Sequence, residues 1–337
     1  MKHRIAMIGF GTVGQGLAEI LIEKKLELQD KYGYEFDIVG ISDIAYGTVY
    51  NPDGLDIVAM LETAKSKKKF STDVKEWDSL TLIKESNATV VCEMAFTDLK
   101  TGEPAISHCK AAFETGKHIV TSNKGPAALA YGELLEIADK NGVQFLIEGT
   151  VMSGTPVINL MDGPLAGCTI SAARGILNGT TNYILTRMEE GMSYEEALKK
   201  AQELGYAEAD PTGDVEGYDA RGKVTILANV VMDADLKIGD VSCKGITKIT
   251  LEDIAKAKAE NSRWKLIGSV KKEGSKVIAS VAPEKLPLSH PLAGVMGATN
   301  AMTFTTDLLG DVSIVGPGAG RKETGFSILT DLLKIQR

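Results

Sequence analysis

The chain has 337 residues, 44% of them hydrophobic and 24% charged, with a formal net charge of −8. That length favours two domains, and the excess of acid repels phosphate backbones, so no nucleic-acid partner is expected. No apolar run approaches the roughly 20 residues that cross a bilayer, no small-residue cleavage site follows the N-terminal run, and Cys92, Cys109, Cys168 and Cys243 show no CxxC spacing; a cytoplasmic protein away from membranes, with reduced cysteines, is expected.

The first predicted element is a strand over residues 4–8 (RIAMI), ended by Gly9. Leu17, Ile20, Leu21 and Leu28 then recur at helical spacing. A second apolar run at 36–41 leads to Ser42 and Asp43, and further short runs lie at 89–93, 118–121 and 143–147. Between them, residues 103–114 and 129–140 read as helices, the second ended by Asn141-Gly142. Short β-rich runs alternating with amphipathic helices indicate βαβ units and a mostly parallel sheet.

Past Glu148 the alternation ends. Residues 168–177 predict a longer strand, followed by NGTTN at 178–182, which is turn and helix-cap chemistry. A helix over 194–204 opens on a capping box, Ser193 with Glu196, and another begins near Thr250 with Asp253 in the same arrangement. Residues 264–270 and 276–281 flank a Glu273-Gly274 turn and predict a hairpin. A glycine-rich turn, GPGAG at 316–320, precedes a final helix from about Thr324. This second half reads as an α+β domain.

Gly9-Phe10-Gly11-Thr12-Val13-Gly14 fits G-x-G-x-x-G, ends a strand and opens a helix. In a Rossmann domain the glycines give a tight turn, room for a pyrophosphate and close helix–strand packing. The helix end then offers its free N–H groups to the phosphates. The competing reading is a tight structural turn. Asp43, ending the second strand, suits a ribose 2′-hydroxyl and leans the choice towards NAD over NADP.

In GYAEADPTGDVEGYDARGK, residues 205–223, the acids Glu208, Asp210 and Asp214 precede a helix on which Asp219 and Lys223 share a face. Such a group can hold a substrate ammonium and pass a proton beside it; the alternative is a solvated acidic loop with a surface ion pair. Asn123-Lys124 falls at the C-terminal end of a strand, where open α/β sheets place ligands, or is a surface charge. EGTVMSGTP at 148–156 could hold a hard cation through Glu148 and carbonyl oxygens, or is a domain crossover. Four scattered histidines without CxxC or HxxxH leave nothing to build a zinc site, and no GxSxG elbow supports a serine hydrolase.

GFGTVG at 9–14, TSNKGP at 121–126, EGTVMSGTP at 148–156, GILNGTTNYIL at 175–185, residues 205–223 and GPGAG at 316–320 follow one another as in homoserine dehydrogenases, which this chain strongly resembles. The resemblance implies NAD(P)-linked interconversion of L-homoserine and L-aspartate 4-semialdehyde, in threonine, methionine and isoleucine biosynthesis. It implies Lys223 as the leading proton carrier and Lys124 near the reacting carbon. Glu208, Asp214, Asp219, Gly179 and Thr180 are then substrate residues. Gly9, Gly11, Thr12, Val13, Gly14, Asp43, Thr97, Lys124, Gly318 and Gly320 face the cofactor. A sodium ion at Glu148, Val151, Ser153 and Thr155 and a homodimer formed through the second domain are also implied.

The expected domains are a nucleotide-binding part over 1–147, rejoined by 311–337, and a substrate-binding, catalytic and dimerisation part over 148–310. The chain departs from the family after GPGAG. It carries Arg321-Lys322-Glu323-Thr324-Gly325-Phe326 where a further glycine and a TAS-like run are usual. Ending at Arg337, it has the length of a short form lacking a C-terminal regulatory domain. Two rival readings are an aspartate-semialdehyde dehydrogenase, which needs a nucleophilic cysteine, and a non-catalytic dinucleotide sensor, which leaves the 208–223 constellation unexplained.

Overall fold

Strand β1 (Lys2–Ile8) carries Ile5, Ala6, Met7 and Ile8 in succession, and all four are buried. A strand apolar on both faces suits the middle of a parallel sheet covered on both sides. The structure, a computed structural model, describes residues 2–335. The chain divides into two units, Met1–Gly154 with Gly320–Arg337 and Thr155–Ala319.

In the first unit, β1 is followed by α1 (Thr12–Tyr32), β2 (Glu35–Asp43), β3 (Gly47–Tyr50), α2 (Ile57–Lys65), β4 (Val74–Lys75) and α3 (Ser79–Glu85). Then come β5 (Val90–Glu93), α4 (Ala105–Glu114), β6 (His118–Thr121), α5 (Lys124–Leu129), α6 (Tyr131–Lys140) and β7 (Phe145–Leu146). The sheet order is β4-β3-β2-β1-β5-β6-β7. β2, β1, β5, β6 and β7 are parallel, and antiparallel β3 and β4 extend one edge. Chain order reverses between β1 and β5, so their carboxyl ends flank a switch point, where such sheets receive ligands. The expected helix over 129–140 proves to be α6 alone, because the backbone breaks at Ala130 (φ −142°) between α5 and α6.

The second unit holds α7 (Asn159–Asp162), β8 (Ile170–Ile176), α8 (Gly179–Glu189), α9 (Tyr194–Glu203), α10 (Thr212–Val215), α11 (Tyr218–Val231) and β9 (Ser242–Cys243). It continues with α12 (Leu251–Ala259), β10 (Ser262–Glu273), β11 (Lys276–Pro287), β12 (Thr299–Thr306) and β13 (Gly310–Pro317). Its sheet runs β13-β12-β8-β10-β11-β9 and is antiparallel except for the β9–β11 pair. Both capping boxes form as the sequence predicts. The β10–β11 hairpin turns at Gly274 (φ +62°), and its strands pair over 12 residues each, past the apolar runs that announced them.

Helix α13 (Arg321–Ile335) returns to the first unit and places Ile328, Leu329 and Leu332 in one core with Leu17 and Leu21 of α1. It starts before the expected Thr324. The Arg321 guanidinium there grips Glu19 of α1 through two nitrogens (3.0 and 3.1 Å) and reaches Gln15 Oε1 at 3.1 Å. The same guanidinium holds the Glu19 carboxyl below its ordinary range. The departure at 321–326 is therefore the anchor of a helix.

Two domain boundaries need correction. Residues 148–154 belong to the first unit, where the Glu148 N–H donates to Asp331 Oδ2 (2.9 Å) and Ser153 Oγ meets Thr324 Oγ1 (2.7 Å). Residues 311–317 belong to the second, because β13 pairs with β12 along its whole length.

Candidate functional site

In the first unit the glycine loop sits between β1 and α1, at the switch point. Gly9 has φ +89°, and a Cβ there would meet the Met94 carbonyl oxygen at 2.6 Å. A Cβ on Gly14 would meet the Gly9 carbonyl oxygen at 2.5 Å, whereas one on Gly11 would have nothing within 4 Å. Gly9 and Gly14 are packing positions, and Gly11 leaves open space at the helix N-terminus, opened by Thr12 and Val13, where a pyrophosphate would lie. Asp43 Oδ2 accepts from the Phe10 N–H (2.7 Å), and Oδ1 accepts from the Ala45 (2.8 Å) and Tyr46 (3.3 Å) N–H groups. The strand-end carboxylate is thus fixed against the glycine loop.

Asn123 caps α5 by accepting from the Gly125 N–H (3.0 Å), and its amide donates to the carbonyls of Ala95 (3.3 Å) and Phe96 (3.0 Å). This ties the loop carrying Thr97 to half-buried Lys124, which opens α5 directly after β6. Glu148, Val151 and Ser153 are all buried on one tight stretch, with Ser153 at φ +55°. Thr155, just past the unit boundary, is buried in the second unit and donates to the Pro317 carbonyl at 2.9 Å. Gly320 begins the returning segment of the first unit, while Gly318 lies in the second.

In the second unit, β8 ends at Ile176 and α8 begins at Gly179, so residues 177 and 178 form the corner between them. Lys223 on α11 is 7% exposed, and its Nζ donates to the Leu177 carbonyl (2.7 Å) and pairs with Asp219 Oδ2 (2.9 Å). Asn178 caps α8 by accepting from the Thr181 N–H, while its amide donates to Asp214 Oδ1 (2.7 Å) and Asp219 Oδ2 (3.2 Å). Thr180 donates to the Tyr206 carbonyl at 2.6 Å. Burial raises the Asp214 carboxyl above its ordinary range, against the opposing pull of the Asn178 hydrogen bond, and nearby Asp219 adds to the rise. The expected Asp219–Lys223 pair is thus half of a four-member network with Asn178 and Asp214. Glu208 stays exposed outside it, and its backbone carbonyl accepts from Gln202 Nε2.

Asn178 is the residue that sequence reasoning missed. NGTTN was legible as a cap, but the two carboxylates served by the Asn178 amide lie 36 and 41 residues further on. Asn182, in the same motif, accepts from the ammonium of Lys265 (2.9 Å), whose pKa burial pushes down to about 8.

Residues 156–333 match the homoserine dehydrogenase family, and residues 9–148 match the homoserine dehydrogenase NAD binding domain. An NAD(+)-dependent homoserine dehydrogenase of Pseudomonas canavaninivorans is 47% identical across 100% of this chain and 97% of its own length. A homoserine dehydrogenase of Methanocaldococcus jannaschii is 45% identical over 98% of each. Among solved structures, a hyperthermophilic archaeal homoserine dehydrogenase mutant in complex with NADPH superposes with a TM-score of 0.86, at 33% identity, over 100% of this chain and 98% of that one. With the glycine loop at a sheet switch point and the buried Lys223 network both in place, the chain belongs to the homoserine dehydrogenase family.

Proposed function

We propose that Lys223 is the proton carrier in this family's reaction, the NAD(P)-linked interconversion of L-homoserine and L-aspartate 4-semialdehyde. The observation that carries the reading is the Lys223 Nζ, buried and held between the Leu177 carbonyl and Asp219. When bound, the dinucleotide accepts or supplies the hydride. In the oxidising direction the substrate's terminal C–H leaves as hydride, and the hydroxyl proton passes to the neutral Lys223 amine. In the reducing direction the ammonium returns that proton to the oxygen of the forming alcohol. Asp219 aims Lys223, and Asn178 aims both Asp219 and Asp214. Asp214 and Glu208 are assigned to the substrate ammonium, and Lys124 to positioning and charge stabilisation by the reacting carbon.

The oxygen donors of Glu148, Val151, Ser153 and Thr155 fit a hard cation such as sodium in chemical type. A homodimer built through the second unit is part of the same reading. So is a cytoplasmic location, in keeping with Cys92, Cys109, Cys168 and Cys243 all being free thiols.

Fixed against the loop beside exposed Ile44, Asp43 would repel a 2′-phosphate and accept from a 2′-hydroxyl. Absorbance at 340 nm with homoserine and each cofactor tests this, with kcat/KM for NAD expected to exceed that for NADP by about tenfold or more, a difference of ~1.4 kcal/mol. Equal rates would remove Asp43 from cofactor choice, and no signal with either cofactor would overturn the whole reading.

Asp214→Asn carries a paired prediction. The wild-type carboxyl is raised, so its ionised form costs stability above its folded-state pKa and ceases to do so once it is protonated at acid pH. The amide variant is expected to unfold later at neutral pH, by on the order of 1 kcal/mol, with no advantage in acid, while its KM for homoserine rises. Denaturant melts at two pH values check the sign. A variant less stable at neutral pH would show that the charge is well compensated.

A further inference from the structure

Asn300, on β12, is 1% exposed, and neither its amide nitrogen nor its amide oxygen has a hydrogen-bond partner among the described residues. Buried amides are almost always paired, and each unmet group costs free energy. Two glycines crowd this side chain. A Cβ on Gly318 would collide with the Asn300 amide, and a Cβ on Gly179 would come to 3.5 Å from Asn300 Oδ1. The amide therefore lies between Gly318, just past the end of β13, and Gly179 at the N-terminus of α8.

That N-terminus has capacity to spare. α8 is 11 residues long, and the side chain of its cap, Asn178, accepts from the N–H and the hydroxyl of Thr181, which leaves the N–H groups of Gly179 and Thr180 without a partner among the described residues. Two unpaired backbone donors at the positive end of a helix thus lie close to an unpaired buried amide, and donors of these kinds together hold a carboxylate. The acids Asp214 and Asp219 on the other side of Asn178 repel such a group and attract an ammonium.

We propose that Asn300 is a specificity-determining residue that binds the α-carboxylate of the amino-acid substrate together with the Gly179 and Thr180 N–H groups. This rests on the assignment of the Lys223 network to the substrate. The cover over the amide is the backbone of Gly318, which has no side chain to move, so a small displacement of the end of β13 completes the contact.

The test is Asn300→Leu, which keeps the branched shape of the amide but is apolar and somewhat larger. Its KM for homoserine is expected to rise about 10- to 100-fold, the size of one hydrogen bond to a charged group, with kcat and the KM for NAD within about threefold of wild type in protein that is folded by its melting curve. With 3-aminopropan-1-ol, which lacks the carboxylate, variant and wild type should match. An unchanged KM for homoserine in folded protein, or an equal loss with 3-aminopropan-1-ol, overturns the proposal. A residue that only packs would spare the discrimination between the two substrates, whatever the substitution does to the melting temperature. Should the leucine variant not fold, Asn300→Ser, smaller and still polar, serves in its place, with a partial rise in KM expected and an unchanged KM again decisive against. Loss of proton transfer in Lys223 variants is read in kcat, so failure of the underlying assignment is separable from failure of this one.

Discussion

Lys223→Ala is expected to lower kcat by about 10²–10⁴-fold, the usual size of a lost general acid–base group, with the KM for NAD little changed. The proposed cofactor residues are the first unit's glycine loop and Asp43, whereas Lys223 is set by α11 and the β8–α8 corner. The substitution also has a structural cost, because the Leu177 carbonyl and Asp219 lose a buried donor, worth about 1–3 kcal/mol. A melt must accompany the kinetics. Lys223→Met keeps most of the buried stem and removes the charge and protons, so it should match the alanine variant in rate and exceed it in stability. If the lysine carries the proton, Lys223→Arg, which does not surrender a proton near neutral pH, stays slow as well. Near-normal turnover in a folded Lys223→Met protein would remove the residue from the chemistry.

The parts legible in sequence were those written in neighbouring residues. The run RIAMI, the glycines at 9, 11 and 14, the two capping boxes and the Gly274 turn each place their own signal within a few positions of their structural effect. Asp219 and Lys223 were readable for the same reason, being four apart on a helix. What escaped was long-range. Asn178 gains its role from carboxylates brought to it by α10 and α11, and Arg321 gains its role from Glu19, 302 positions away. The β12–β13 hairpin hid because β13 alternates exposed and half-exposed residues along an edge, without the buried face that announces a strand. GPGAG read as a single turn, although its first two residues close β13 and only Gly320 begins the returning segment.

The glycine loop offers the second large effect, because its three glycines differ in what surrounds them. Gly11→Val adds a side chain where nothing lies within 4 Å, so the fold should tolerate it, with a melting temperature close to wild type. If the phosphates meet the N-terminus of α1 in this open space, a β-branched side chain there holds the pyrophosphate off the backbone donors. Losing a hydrogen bond from a backbone donor to a charged phosphate costs about 1.5–3 kcal/mol, so the KM for NAD should rise about 10- to 100-fold, in folded protein, by titration or by steady-state kinetics. Gly9→Ala inverts the pattern. The new methyl meets the Met94 carbonyl at 2.6 Å from a backbone at φ +89°, and strain of this kind costs about 1–3 kcal/mol before the clash is counted. Because Met94 follows β5 and Gly9 follows β1, the clash prises apart the two central strands and should lower stability first, with cofactor binding lost as a consequence. A Gly11→Val protein that binds NAD normally would mean the dinucleotide does not use this loop. A Gly9→Ala protein as stable as wild type would mean that the β1–β5 junction is looser than its packing implies.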